Sequence, residues 1–296
     1  MNADRIGFLD VPMSFTFDGG SLTICPDFDA AKSWVNKNVN QDGFIYPPIV
    51  RNVRIYPSSG KKTWLPKTKR PALLHRMPPS HDLALKGARD IQKSRLGLSG
   101  FVTHCFGFLF GTRLQYCDWW LEGRIPIKST SNVYVDRKTA ESFVSKAIAT
   151  WKNFDRRNKR VVSNVLYLYA KSGSLEWDWE RFQMEYTVFD ACHALLMRGR
   201  SVGFSPHRRR FKTVCQSQGL KYNGKLVRKF VKLRNDLLHE ALWDGGQINT
   251  ARGSAAFMAS YHLRRFNHRL ITAILTGRTE YTSSPWWFLG TRVFRV

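Results

Sequence analysis

Negative charge is what this chain has least of. Its 296 residues hold 22 Asp and Glu against 47 Lys and Arg, a formal net charge of +25. A folded chain so unbalanced repels itself unless an anion is nearby. Nucleic acid is the expected partner class, because phosphate contacts release counterions and drive association. An anionic membrane surface fits less well, since no basic amphipathic stretch with a wide lipid-facing stripe is found.

Cysteine motifs are missing too. Cys25, Cys105, Cys117, Cys192 and Cys215 are scattered and none forms a C-x-x-C. That argues against a zinc ribbon and against a disulfide framework. Cys192 lies in an apolar periodic run, as a buried thiol would, and a reducing compartment fits. Long hydrophobic runs are absent as well. The N-terminus, MNADRIGFLDVPM, carries two early acids and no apolar core segment, so it does not read as a signal peptide. The most apolar stretch, Gly100–Gly111, is far short of a span and contains His104. A cytoplasmic protein without membrane contact is expected. No P-loop, G-x-S-x-G, H-E-x-x-H or G-x-G-x-x-G occurs, which removes the usual nucleotide-hydrolase, serine-hydrolase, metalloprotease and dinucleotide readings. His262 and His268 lack a carboxylate at metal spacing and read as surface or core histidines.

What is present suffices for a large core. Hydrophobic residues make up 43% of the chain and aromatics 14%, and the length accommodates two domains. Residues 1–80 read as strands and turns. Ser14–Phe17 and Ser21–Ile24 flank Asp18-Gly19-Gly20, a hairpin signal. Phe44–Tyr46 and Val50–Tyr56 read as short strands between prolines, and seven of the twelve prolines lie between Pro47 and Pro79. His81–Ser94 and Gly100–Trp120 read as helices, the second one buried. Residues 126–136 read as a linker or short strand.

From about Arg137 the apolar spacing is helical: Lys138–Phe154, Arg160–Lys171, Leu175–Met197 with Ser174 as cap, a short helix from Pro206 to Gly219, Lys225–Trp243, and Ser254–Thr276. The expected architecture is α+β. It has an N-terminal α+β region at 1–125, an all-α bundle at 137–280, and an aromatic tail at 281–296 that docks on the body or on a partner.

The bundle contains Lys232-Leu233-Arg234-Asn235-Asp236-Leu237-Leu238-His239-Glu240, an Arg-x-x-x-x-His. The bare pattern is weak. It also occurs at Arg70–His75 and Arg76–His81, but prolines interrupt both, so neither can lie on a continuous helix. Only Arg234–His239 sits on an unbroken amphipathic stretch, with Leu226, Phe230, Leu233, Leu237 and Ala241 as core stripe. Between Ala191 and Asn235 there is no Asp or Glu, and twelve Lys and Arg lead into the motif. Arg208, Arg209, Arg210, Lys229 and Lys232 are the candidate phosphate contacts within that stretch.

Arg-Asn-x-x-x-His late in a basic helix, inside a bundle of four or five helices, resembles the HEPN ribonuclease superfamily. That superfamily includes toxins of toxin–antitoxin pairs, anti-phage abortive-infection nucleases and RNA-guided RNases. The resemblance covers roughly residues 140–276. It implies that Arg234 and His239 are the catalytic pair and that Asn235 is the polar residue following the arginine. It implies a supporting acid on the preceding long helix, best matched by Asp190, with Glu185 as rival. It also implies a homodimer with one composite cleft, and control by a trigger, an antitoxin or the N-terminal region.

The chemistry stands beside the resemblance. RNA carries its own nucleophile, the 2′-OH. Cleavage needs that proton removed, the leaving 5′-oxygen protonated, and the charge on phosphorus balanced. One His can move the protons and one Arg can clamp the phosphate, so neither metal nor cofactor is called for. Arg234 and His239 are about 140° apart around one helix and are not expected to share a face. Two readings from other classes compete: a catalytically idle HEPN module, and a basic nucleic-acid-binding regulator whose N-terminal region is the reader.

Overall fold

The computed structural model describes residues 3–45, 53–55, 58–64, 77–87, 91–119, 123–127, 129, 133–199, 205–248 and 254–296. The chain is mixed α/β and mostly helical. It begins with β1 (Asp4–Gly7), β2 (Phe15–Phe17), β3 (Gly20–Ile24), α1 (Phe28–Asn38), β4 (Phe44–Ile45), β5 (Val53–Ile55), β6 (Lys62–Trp64) and β7 (His81–Leu85). Then come α2 (Ile91–Arg95), α3 (Leu98–Phe110), β8 (Gln115–Tyr116), β9 (Ile125–Pro126) and β10 (Val133–Tyr134). The remaining elements are α4 (Arg137–Asn153), α5 (Arg156–Ser172), α6 (Asp178–Met197), α7 (His207–Gln218), α8 (Gly224–Glu240), α9 (Ser254–Thr276), α10 (Glu280–Ser283) and β11 (Arg292–Val293).

The hairpin forms where turn chemistry places it. β2 pairs with β3 antiparallel, Phe15 opposite Leu22, and Gly19 in the turn has φ +99°, a value that favours glycine. These strands belong to a five-stranded sheet ordered β2-β3-β7-β1-β8, antiparallel throughout. Here the helical reading of His81–Ser94 is corrected. His81–Leu85 is the central strand, with His81, Leu83 and Leu85 buried and Asp82 and Ala84 between them only partly so. The period is two, and strand pairing on both sides overrides the lack of breakers. Helix resumes only at Ile91.

α3 is the buried helix expected of the apolar stretch, but it stops at Phe110, where Gly111 adopts φ +64°. The chain then reverses into β8 instead of continuing to Trp119. α3 lies among the bundle helices. Phe101 stacks on Trp151 of α4, and Phe108 meets Phe143 and Tyr169 at 5.6 and 5.1 Å. One apolar core therefore runs from the sheet through α3 into α4–α9, although α3 lies on the N-terminal side of a division at 125/137. The sheet edge is tied to α4 as well: Thr16 N donates to Glu141 Oε1 at 2.8 Å and Asp18 N to Ser145 Oγ at 3.0 Å.

Most bundle boundaries follow their caps. Asp136 and Asp155 accept from the backbone of Thr139 and Asn158, opening α4 and α5. α7 ends at Gly219 with φ +70°, and α9 spans the residues expected. α6 is shorter than expected. It opens at Trp177, not Ser174, because Glu180 Oε2 reaches back to accept from Trp177 N at 3.2 Å. The tail docks on the body. Trp286 and Phe294 are fully buried, the Trp286 indole donates to Lys221 O at 2.8 Å, and Arg265 and Arg269 of α9 hold tail carbonyls. All five cysteines are free, and four are buried. His262 and His268 are core residues. Among the described residues, no helix is long and apolar enough to cross a membrane.

Candidate active site

α8 carries the motif. Its N-terminus is capped by Asn223, whose side chain accepts from Leu226 N at 3.1 Å. Its buried stripe is Val227, Phe230, Leu233 and Leu237. Leu226 is only partly buried and Ala241 is exposed, so the expected stripe is shifted at both ends. The helix also stops at Glu240, three residues before the expected Trp243. Ala241 takes a left-handed conformation, φ +55°, which sends Trp243 back into the core against Phe182 at 5.2 Å. Burial of that indole outweighs continued helix. The result leaves His239 in the last turn, at an exposed helix end.

The two motif residues meet although the helix angle separates them. Arg234 Nη1 lies 3.0 Å from His239 Nε2 and donates to Asn235 Oδ1, also at 3.0 Å. The long arginine side chain closes the gap that the helix angle opens. An arginine N–H only donates, so Nε2 accepts, and the neutral ring carries its proton on Nδ1. His239 and Asn235 are exposed, whereas Arg234 is half-buried.

Behind Arg234 is a small cavity of about 80 Å³ between α6 and α8, lined by Phe182, Tyr186, Asp190, Arg234, Leu237 and Leu238 among others. Asp190 thus borders the same hollow as Arg234. Its carboxylate pairs with Arg210 Nη1 at 3.1 Å and lies 4.0 Å from His207 Nδ1. His207 in turn meets the Tyr186 hydroxyl at 3.1 Å. Burial pushes the His207 pKa down, Arg210 adds to this, and Asp190 opposes it. Burial pushes the Tyr186 phenol up, with Asp190 acting the same way and Arg234 opposing. Glu185, the rival acid, points elsewhere. It is buried on the opposite side of α6, where Arg264 Nη1 and Asn267 Nδ2 donate to it at 2.8 and 2.7 Å and Ser172 donates a further bond.

The candidate phosphate contacts divide. Arg208 and Arg209 are exposed at the start of α7, where positive charge is unfavourable unless an anion is near. Arg210 is held by Asp190 and by Ser205 O. Lys229 is half-buried. Lys232 is exposed and pairs with Asp236 at 2.5 Å. His207 and Tyr186 escape sequence reasoning, since neither lies in a motif. Tyr186 lies four residues before Asp190 on α6 and shares its face, whereas only the packing of α7 against α6 brings His207 to the pair. Arg70, His75 and Arg76 of the two other Arg-x-x-x-x-His matches lie outside the described residues, whereas His81 is fully buried in β7 and cannot meet a substrate there.

Among the described residues, no three His, Cys, Asp or Glu side chains gather as metal ligands would. Comparison of the chain with family models, with curated proteins and with solved structures finds no match.

Proposed function

We propose that this chain is a metal-independent endoribonuclease of the HEPN type, acting as a defence or toxin effector. The observation that carries the reading is the 3.0 Å contact between Arg234 Nη1 and His239 Nε2 at an exposed helix end. The acid-free basic stretch leading into it supports RNA as substrate.

In this reading Arg234 and His239 are the catalytic residues. As Arg234 turns from His239 to the phosphate, His239 Nε2 is freed and takes the proton of the 2′-OH, the O2′–P bond forms, and the P–O5′ bond breaks. The Arg234 guanidinium balances the charge on the phosphoryl oxygens. The leaving 5′-oxygen takes its proton from a second acid. Products carry 2′,3′-cyclic phosphate and 5′-hydroxyl ends. Asn235 orients Arg234, and Asp190 holds Arg210 and faces the cleft. Arg208, Arg209 and Lys232 draw the RNA backbone. A second copy packed on this end of α8, where Leu238 is 48% exposed, contributes the second Arg/His set and hence the second acid.

The test is an RNase assay in EDTA, comparing wild type with His239→Ala and analysing product ends. Cleavage by wild type alone, with cyclic phosphate ends, is expected. Equal cleavage by both proteins rules out His239. A second reading, an RNA-binding module that does not cleave, draws on the satisfied state of the pair, since Arg234 already occupies His239 Nε2. Binding of RNA by both proteins with cleavage by neither is its signature.

A further inference from the structure

A second hollow lies well away from the motif, between α3, β8 and α5. Its volume is about 550 Å³, within the range of pockets that take small ligands. Its walls are aromatic. Tyr116 and Trp119 flank one side, their rings 4.9 Å apart, and Tyr167 of α5 stands 5.5 Å from the His104 ring on the other.

His104 is the unusual group. It lies on a face of α3 otherwise built from Gly and Phe, with Gly100, Phe101, Gly107 and Phe108 one turn away on either side. Burial lowers its pKa to about 4, so the ring is neutral. Neither ring nitrogen has a hydrogen-bond partner among the described residues, and the ring lines the hollow. A neutral imidazole offers one donor and one acceptor. His104 is half-buried and opens onto the hollow, so a ligand can pair with its nitrogens without displacing a protein partner. Asn164, exposed at the rim on α5, adds an amide.

Charge narrows the ligand. Arg95 and Arg113 line the hollow, and Arg95 is tied to Asp4 and Asp118 at 2.9 and 2.7 Å. Arg95, Asp4 and Asp118 form one ion-paired group and Arg113 donates to Gly123 O, while Lys171 stands 5.8 Å from the Tyr167 ring. Aromatic walls, a donor–acceptor ring, an amide and cations that are mostly engaged match a nucleobase stacked on side chains and read at its edge.

We propose that this hollow is a binding site for an uncharged nucleoside. The inference is independent of any nuclease activity. α5, which forms one wall, packs along α6, the helix that carries Asp190, so a nucleoside bound there touches the framework behind the motif cleft.

The test uses the full chain and adenosine, with titration calorimetry and intrinsic fluorescence. Saturable 1:1 binding with a change in Trp emission is expected. Trp119→Ala and Asn164→Ala, both at exposed positions, should melt as wild type and bind about tenfold more weakly or worse. His104→Phe keeps an aromatic face and removes both ring nitrogens, so it should also weaken binding. Trp177→Ala, at the N-cap of α6 and outside the lining of the hollow, should bind as wild type. Lack of saturable binding, or unchanged binding in both rim variants, overturns the proposal. So does indole binding as tightly as adenosine, which marks a plain apolar hole. Adenosine monophosphate or a ribo-oligonucleotide binding about tenfold tighter than adenosine through these residues overturns the charge argument.

Discussion

Two carboxylates on α6, Glu185 and Asp190, are five residues apart and live in different worlds. Glu185 is 1% exposed and locked by Arg264, Ser172 and Asn267. Asp190 sits at the surface between Arg210, His207 and the hollow behind Arg234. The helix turns by about 140° over that interval, so one acid faces the bundle interior and the other faces α7 and α8. Both are paired with arginine, but they differ in exposure and in their further partners. An interior pair fixes how α5, α6 and α9 meet. A rim pair with a half-open carboxylate leaves charge available to a ligand. In this molecule, pairing alone does not distinguish framework from site.

Breaking the interior pair should have the largest effect on stability. Arg264→Met leaves Glu185 buried and uncompensated, and a loss of about 3–5 kcal/mol is expected in urea unfolding. Next comes pH. Burial holds the His268 pKa well below its ordinary value, with Arg269, Arg264 and Arg265 acting the same way. Burial also lowers His81 and His104 to about 4. Above the ordinary histidine pKa both folded and unfolded chains are neutral there, and stability is at its full value. Below it the unfolded chain takes up protons that the folded one refuses, so stability falls toward pH 4. Each such histidine contributes about 1.4 kcal/mol per pH unit in that window. His268→Gln should flatten the slope by one such step, measured by unfolding at pH 6.5 and 5.

At the rim, Asp190→Asn should cost less than about 1 kcal/mol of stability. RNA cleavage should nevertheless fall about tenfold, through altered placement of Arg210, which Asp190 holds. Cleavage unchanged by that substitution would reduce Asp190 to a surface ion-pair partner. The smallest effect is expected from Arg208→Ala and Arg209→Ala. Each should lower the slope of log Kd against log salt for single-stranded RNA by about 0.7, leaving unfolding unchanged.

Much of the bundle was legible because its signals are local. Gly219 and Gly277 announce stops and apolar spacing gives the buried faces, although α5 starts at Arg156 behind its cap Asp155, four residues before the expected Arg160. The hairpin around Gly19 was legible for the same reason. What escaped depends on distant partners. His81–Leu85 reads as helix until two strands pair with it. The end of α8 moves to Ala241 only because Trp243 finds Phe182. At the site, Arg234, Asn235 and His239 were visible as one segment, and Asp190 could be picked out as a polar residue on an apolar helix. His207 was not, since it reaches Asp190 through packing of α7 on α6, and Tyr186, although four residues before Asp190 on the same helix, carried no motif to mark it. The separation of Arg234 from His239 by helix angle also misled, because angle ignores side-chain length.

One atom of Arg234 has a thermodynamic consequence. Its Nε is buried and has no hydrogen-bond partner among the described residues. Folding has already stripped water from that N–H, at a cost of about 1–3 kcal/mol for a buried donor left unmatched. An anionic oxygen admitted by a shift of the side chains lining the hollow would form its bond there without first displacing a hydration shell. At exposed Arg208 or Arg209 the same oxygen must compete with solvent. Two arginine N–H groups are buried in this way among the described residues, Nε of Arg234 and Nη1 of Arg265, and of the two only Arg234 belongs to the motif on α8.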